Sequence, residues 1–414
     1  MTTLANTIEP LPQRTAALAA PTRILIVADD LTGACDSGVA FVASGHSVRV
    51  LLNTSQLYAS QLDPRSLALD RNSNRDSSHT EDRNAVLALT TESRDLTASE
   101  AAASVTQHIA KFAPHTPGAL VFKKIDSAAR GHFAAEIDAA LRASGATLAL
   151  VAPAFPAAGR TVTNGILTVR DWSGQDTAIA LHNLFPPEES ARIANLPTGS
   201  EDELHRGLSR ALEDSTRILL CDATTQSDLD RLAAAALRIS QPLLWAGSAG
   251  LARALAAQMQ TPAVQFPAAV GNVVTSHPAQ SARRTGRTLF FTGTPHPITA
   301  LQVAHLEQTP RDHHPRAIHR VPESNASPAN VISAFTAEAP AALILTGGDT
   351  AAFVLRALGA NSILLAGELA PGIPWGIVEG GLAHGCTVVT KSGGFGERDA
   401  LLRCFEFCES EDAR

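Results

Sequence analysis

Short runs rich in Ile, Leu and Val recur along this chain, and most are followed by an alanine-rich stretch of helical length. "RILIVA", "SVRVLL", "VLALTT", "ALVFKKID", "LALVAPAF", "RILLCDA" and "PLLWAGSAG" read as strands. Helices are expected near Ala34–Ser44, over Ala98–Lys111 with Thr97 or Ser99 as cap, over Phe133–Ala143 and over Asp228–Ile239. Alternation of this kind predicts an α/β fold, a mostly parallel sheet flanked by helices. Residues 260–287, rich in Pro, Gly, Ser and Thr, interrupt it. It resumes with "TLFFTGT", a helix after Pro297, "PAALILTGGDT", a helix over Ala351–Leu358, "NSILLAGE", "CTVVTKSGGFG" and a last helix from Glu397.

A chain of 414 residues is too long for one ordinary core, so two domains are expected. They are placed at 23–259 and 288–414, with 260–287 as linker and 1–22 as a loose tail. The polar stretch 70–85 reads as an exposed loop.

The charge balance, 33 basic against 40 acidic residues, argues against a nucleic-acid partner or an anionic membrane. No apolar run approaches the ~18–20 residues needed to span a bilayer. The first 22 residues lack the basic start and apolar segment of a signal peptide. The five cysteines show no metal spacing, which fits free thiols in a reducing cytoplasm.

In open α/β sheets, ligands sit beyond the carboxyl ends of the strands. The first strand ends in "ADDLTGACDSG". Side chains alternate on a strand, so Asp29 and Asp30 need not share a task. One can serve the following helix, where Thr32 is read as a cap and Asp36 as a first-turn residue. The other can orient a hydroxyl or take its proton, and Asp30 is assigned that part. "FKKIDSAARGH" sets Lys123, Asp126 and Arg130 at another strand end, a set that could grip a carboxylate and hydroxyls together, with Arg130 as the fork. "TESR" adds Arg94, and "APAFPAAGRTVTNG" is a long loop of the length often given to function.

Three glycine turns complete the pattern: Ser248 in "WAGSAGLA"; Gly347, Gly348, Asp349 and Thr350 in "LTGGDT"; and Gly393 and Gly394 in "KSGGFG". Glycine admits close backbone approach, and free N–H groups at helix starts bind phosphate oxygens. GxxxxGK[ST] and an initial GxGxxG are both absent, which sets aside a P-loop and a Rossmann dinucleotide site. "AGSAG" misses the hydrolase elbow by one glycine. The 14 histidines show no ligand spacing.

"ADDLTGACDSG", "TESR", "KKIDSAARG", "APAFPAAGRTVTNG", "GSAGLA", "GGDT" and "KSGGFG", in this order from about Arg23 to about Phe405, resemble the four-carbon acid sugar kinases. That resemblance implies a sugar-acid-binding domain followed by a nucleotide-binding domain, with the active site in the cleft between them. It implies ATP and Mg2+ and phosphorylation of the 4-hydroxyl of threonate, erythronate or 3-dehydrotetronate. Carried over by motif, Asp29, Asp30, Arg94, Lys123, Asp126 and Arg130 would meet the sugar acid. Ser248, Gly347 to Thr350, Gly393 and Gly394 would meet the nucleotide. Ala128, Ala129 and His132 stand where the family pattern has Thr, Leu and Asn, a change that bears on substrate choice. The metal ligands are left open, as is a homodimer.

Two other readings compete. A sugar-acid sensor without turnover would keep the Asp/Arg/Lys set and lose the glycine turns. An aldolase or lyase would use Lys123 or Lys124 as a Schiff base. The joint presence of acids, cations and glycine turns favours the kinase, because phosphoryl transfer rests on positioning and charge stabilisation and needs no protein nucleophile.

Overall fold

A computed structural model describes residues 24–52, 85–116, 118–259, 287–309, 317–320 and 327–410. The expected tail 1–22, the polar loop 70–85 except Ala85, and the linker 260–287 except Arg287 lie outside these residues.

Seventeen strands and ten helices follow one another through the described residues. Strands β1 (Ile24–Ala28), β2 (Ser47–Leu51), β3 (Ala85–Thr90), β4 (Leu120–Lys124), β5 (Leu148–Ala152), β6 (Arg160–Thr163), β7 (Ile166–Arg170), β8 (Asp176–Ala180), β9 (Ile193–Leu196), β10 (Ile218–Cys221) and β11 (Leu243–Gly247) precede the segment 260–286. After it come β12 (Thr288–Thr292), β13 (Ala317–Arg320), β14 (Ala342–Thr346), β15 (Ser362–Ala370), β16 (Ile373–Glu379) and β17 (Thr387–Lys391). The helices are α1 (Leu31–Val42), α2 (Ala98–Phe112), α3 (Phe133–Ser144), α4 (Glu201–Glu213), α5 (Gln226–Leu237), α6 (Ala249–Gln258), α7 (Pro297–Gln308), α8 (Pro328–Glu338), α9 (Gly348–Ala357) and α10 (Ala400–Glu409).

Fourteen strands form one sheet in the order β13-β12-β14-β17-β16-β15-β2-β3-β1-β4-β11-β5-β10-β9, and β6-β7-β8 form a small antiparallel sheet beside it. The large sheet is parallel except where β15 and β16 enter it. β15 joins the two halves by pairing antiparallel with β2 over Ser362–Leu364. The Arg49–Glu379 ion pair, with contacts of 2.6 and 2.8 Å, braces that junction.

β1, β5, β12 and β14 are buried along their whole length, as expected for parallel strands covered on both faces. α4, α5, α6, α1, α9 and α8 pack in a row on one face, α2 against α3 and α7 against α10 on the other. α1 is the hub of this packing: all twelve of its residues are buried. Its small residues allow this. A Cβ on Gly38 would lie 3.0 Å from Val48 and 3.1 Å from Leu365, a residue of the second half.

Thr97 caps α2 as expected, with Glu100 closing the capping box. The assignment at α1 needs correction. Asp30, not Thr32, is its cap, and Asp36 lies in the second turn, not the first, because the helix starts at Leu31.

Candidate active site

The ends of β1, β3, β4, β5 and β11 converge with the loop after β17 on one cleft. Asp30, Thr32, Gly33, Asp36, Arg94, Lys124, Asp126, Ser127, Arg130, Phe155, Ala249, Ser392 and Phe395 line it. The first eleven come from the first half and the last two from the second.

Arg94 organises the acids. It donates to Asp29 at 2.8 and 3.0 Å, meets Asp30 at 2.8 Å and stands 3.7 Å from Asp126. Burial works against its charge, yet Asp30, Asp29 and Asp126 together raise its proton affinity. One arginine thus neutralises part of a cluster whose like charges would otherwise repel in a poorly solvated site.

Each acid is differently committed. Asp30 accepts from the Gly33 N–H at 2.6 Å and from the Thr32 hydroxyl at 3.0 Å in addition to Arg94. Asp126 accepts from Arg130 at 2.6 and 3.0 Å and from the Ala128 N–H at 2.8 Å. Burial opposes the Asp126 charge, but the Arg130 hydrogen bonds and the charges of Arg130, Lys124 and Arg94 hold its carboxyl well below the ordinary range. Asp29 gives one oxygen to Arg94, and its Oδ1 is buried without a partner. Asp36, on the same face of α1 as Thr32 and Gly33, accepts no hydrogen bond at its buried Oδ1.

The two lysines part company, as neighbours on a strand must. Lys124 reaches the cleft. Lys123 does not: it is fully buried on the opposite side, 3.2 Å from Glu136, and donates to the Lys124 carbonyl at 2.8 Å. Lys123, expected to meet the sugar acid, therefore lies away from the cleft, and Lys124 is the lysine that lines it. Arg130 turns one edge of its guanidinium, Nε and one Nη, to Asp126 and lines the cleft. Arg160, from the long loop, was not singled out. Its Nε is buried without a partner, its guanidinium lies 5.8 Å from the Phe395 ring centre, and among the described residues it forms no ion pair.

The glycine turns divide. Ser248 is fully buried and caps α6, donating to the Ala154 carbonyl at 2.6 Å. It belongs to the first half and presents no side-chain oxygen to the cleft. The other two turns lie together. Gly347 takes φ +95° at the start of α9, a conformation that favours glycine, and the following Gly348 rests against Asp30. A Cβ on Gly393 would lie 2.5 Å from the Thr294 hydroxyl, and one on Gly394 would lie 3.1 Å from the His296 ring. The loops after β12, β14 and β17 are thus packed closely, with the Thr294 and His296 side chains filling the space between the glycines. Asp349 and Thr350 occupy the first turn of α9.

Lys391, at the end of β17, shapes the last loop from beneath. Its Nζ donates to the carbonyls of Ser392, Gly393 and Phe395 at 2.9 to 3.2 Å. Burial lowers its pKa to about 8. Phe395 then crosses to the first half, with its ring 6.0 Å from that of Phe155. The sequence reading passed over both, because neither a buried lysine nor an aromatic bridge has a local signature.

Among the described residues, no helix is long and apolar enough to cross a membrane. Residues 24–255 match the model of a sugar-binding N-terminal domain and residues 325–401 that of a nucleotide-binding C-terminal domain. A D-threonate kinase of Bordetella bronchiseptica is 34% identical over 91% of this chain and 95% of its own length. A second D-threonate kinase, from Salmonella typhimurium, is 29% identical over 94% and 98%. More distant relatives are named D-erythronate kinase and 3-oxo-tetronate kinase. Among solved structures, a Salmonella typhimurium LT2 protein shares the fold at a TM-score of 0.63 and 20% identity, over 92% of this chain and 98% of that one. Haemophilus influenzae HI1011 does so at 0.59 and 18%, over 94% and 100%. The chain belongs to the four-carbon acid sugar kinase family.

Proposed function

We propose that this protein transfers the γ-phosphoryl group of ATP to the 4-hydroxyl of a four-carbon sugar acid, with threonate as the first candidate. The observation that carries the reading is the meeting of two chemistries in one cleft. An Asp/Arg/Lys cluster suited to a hydroxylated acid lies against glycine turns suited to phosphates, and Gly348 touches Asp30. A sensor without turnover has no need of the second set. The Schiff-base alternative loses Lys123, which is sealed away with Glu136.

Within this reading, Lys124, which lines the cleft, and Arg160, which packs on the cleft residue Phe395, receive the substrate carboxylate, since Arg94 and one edge of the Arg130 guanidinium are turned to protein acids. Asp30 and Asp126, which line the cleft, orient hydroxyls. The N–H groups of residues 348–350 and 393–394 receive the phosphates, while the Gly347 N–H donates to the Lys391 carbonyl and Lys391 holds the second of these loops in shape. Magnesium would arrive on the triphosphate, as is usual for an ion that keeps its waters and needs few protein carboxylates. Phe395 and Phe155 would exclude water when the cleft closes. The five cysteines are free and buried, in keeping with a reducing cytoplasm.

The test is ADP release over a panel of four-carbon acids with ATP and magnesium. Release with threonate above the rate without an acceptor is expected. A folded protein that releases none with any member of the panel overturns the assignment.

A further inference from the structure

We propose that Asp36, not either member of the adjacent Asp29–Asp30 pair, is the general base that takes the proton of the attacking hydroxyl. This rests on the kinase reading above and adds to it the residue that performs the proton transfer.

A base must keep a lone pair free and must face the substrate. Asp30 fails on the first count: Gly33, Thr32 and Arg94 hold it, and its capping bond is part of α1. Asp126 fails likewise, with Arg130 and the Ala128 N–H on its oxygens. Asp126, held in its charged form by these bonds, is a poor proton acceptor. Asp29 has a vacant Oδ1, but Asp29 does not line the cleft, and its other oxygen is taken by Arg94.

Asp36 meets both conditions. It lines the cleft, is 9% exposed, and its Oδ1 is buried with no hydrogen-bond partner among the described residues. Thr32 and Gly33, one turn earlier on the same helix face, line the cleft with it. A buried polar atom without a partner is costly to keep, and an arriving hydroxyl would supply the missing partner.

The surrounding charges tune it. Burial raises the Asp36 pKa to about 6, Lys124 from β4 and Arg253 from α6 pull it down, and Glu368 from β15 and Asp30 at the start of α1 push it up. The group is therefore largely ionised at neutral pH yet far more basic than its neighbour Asp126. In the step itself, the substrate O–H proton passes to an Asp36 oxygen as the hydroxyl oxygen bonds to the γ-phosphorus. The bond from that phosphorus to the bridging oxygen breaks, and its electron pair leaves with ADP. The proton departs to solvent as the cleft reopens.

The experiment compares wild type with Asp36→Asn under saturating ATP and each four-carbon acid, with ATP affinity measured separately by calorimetry. The expected result is a ~10²–10⁴-fold loss of kcat with ATP affinity kept within about threefold. Wild-type kcat/KM should rise with pH through an acid limb near 6, matching the raised carboxyl. A wild type that turns over beside an Asp36→Asn within threefold of it overturns the assignment of Asp36 alone. A wild type that releases no ADP overturns the kinase reading and this one with it. Should the variant fail to fold, the wild-type profile decides: a rate flat down to pH 5 overturns the proposal.

Discussion

Gly348 and Asp30 stand in direct contact across the cleft: a Cβ on Gly348 would lie 2.7 Å from an Asp30 carboxylate oxygen and 3.3 Å from the Thr32 hydroxyl. The start of α9 and the start of α1, one from each half of the chain, are therefore built to one tolerance. Asp30 cannot step aside, because its other contacts fix it. Gly348→Ala should lower kcat/KM for both ATP and the sugar acid by at least ~10-fold, since displacement of a positioned group by an ångström is felt on both substrates. Gly394→Ala should cost less, because the obstacle there is the His296 side chain at 3.1 Å. Steady-state kinetics on the two variants, with melting curves, tests the order. Equal and small effects would remove Gly348 from the cleft's working geometry.

Asp36→Asn should raise stability while lowering activity. A carboxyl with a pKa raised on folding binds its proton more tightly in the folded state. Its cost to stability begins as pH rises past the unfolded value near ~4 and is complete above about 6. The variant should thus melt above wild type at pH 8, by an amount on the order of 1–3 kcal/mol, with the difference vanishing below pH ~4. Thermal melts across that range check it. A variant that melts lower at every pH would show a structural acid.

Asp126 should behave in the opposite sense. Its carboxyl is held down on folding, so its contribution is present above the ordinary carboxylate range and is lost as pH falls through that range toward the lowered value. Arg130→Gln should remove part of that acid sensitivity and weaken the fold at neutral pH. Melting curves of both proteins from pH 2 to 7 compare the two slopes.

Arg160→Met should raise KM for the sugar acid ~10-fold or more and leave KM for ATP within about threefold, since a guanidinium–carboxylate contact is among the stronger polar interactions. An uncharged analogue, with an amide in place of the carboxylate, should bind the variant and wild type alike. Equal losses for acid and amide would show that Arg160 acts only through its packing on Phe395.

Lys391→Met removes the donor to three carbonyls of the loop after β17. ATP affinity should fall ~10-fold with sugar-acid affinity little changed. In wild type, ATP affinity should also decline above pH 8, as the lysine loses its charge. Calorimetry at pH 7 and pH 9 measures both.

The alternation of strand and helix was legible because apolar runs and alanine-rich stretches differ in period, and the helix over Ala98–Lys111 differs from α2 only at its end. α4 escaped notice: its apolar positions Leu204, Leu208 and Ala211 are few among charged residues. β16 was hidden by Pro374 and Gly376, which read as breakers. At the site, the strand-end motifs did point to the cleft. The period of a strand said that Lys123 and Lys124 face apart, but not which of them faces the ligand. Nor could it say that Arg94 would occupy Asp29 and Asp30, or that Asp126 would occupy Arg130, because these pairings join separate strand ends. Asp36 was placed in the first turn and not the second, a two-residue error that follows from taking Thr32 as the cap.

The pairing of β2 with β15 has a mechanical consequence. Three residue pairs and one arginine–glutamate clasp join the two halves of a fourteen-stranded sheet. Sliding the halves along this line would sever every hydrogen bond in it at once, whereas a small change of twist between the two strands would sever none. Twisting about β2, not sliding, is therefore the relative motion that would leave the sheet unbroken, and α1, packed against both halves, would have to give way to it.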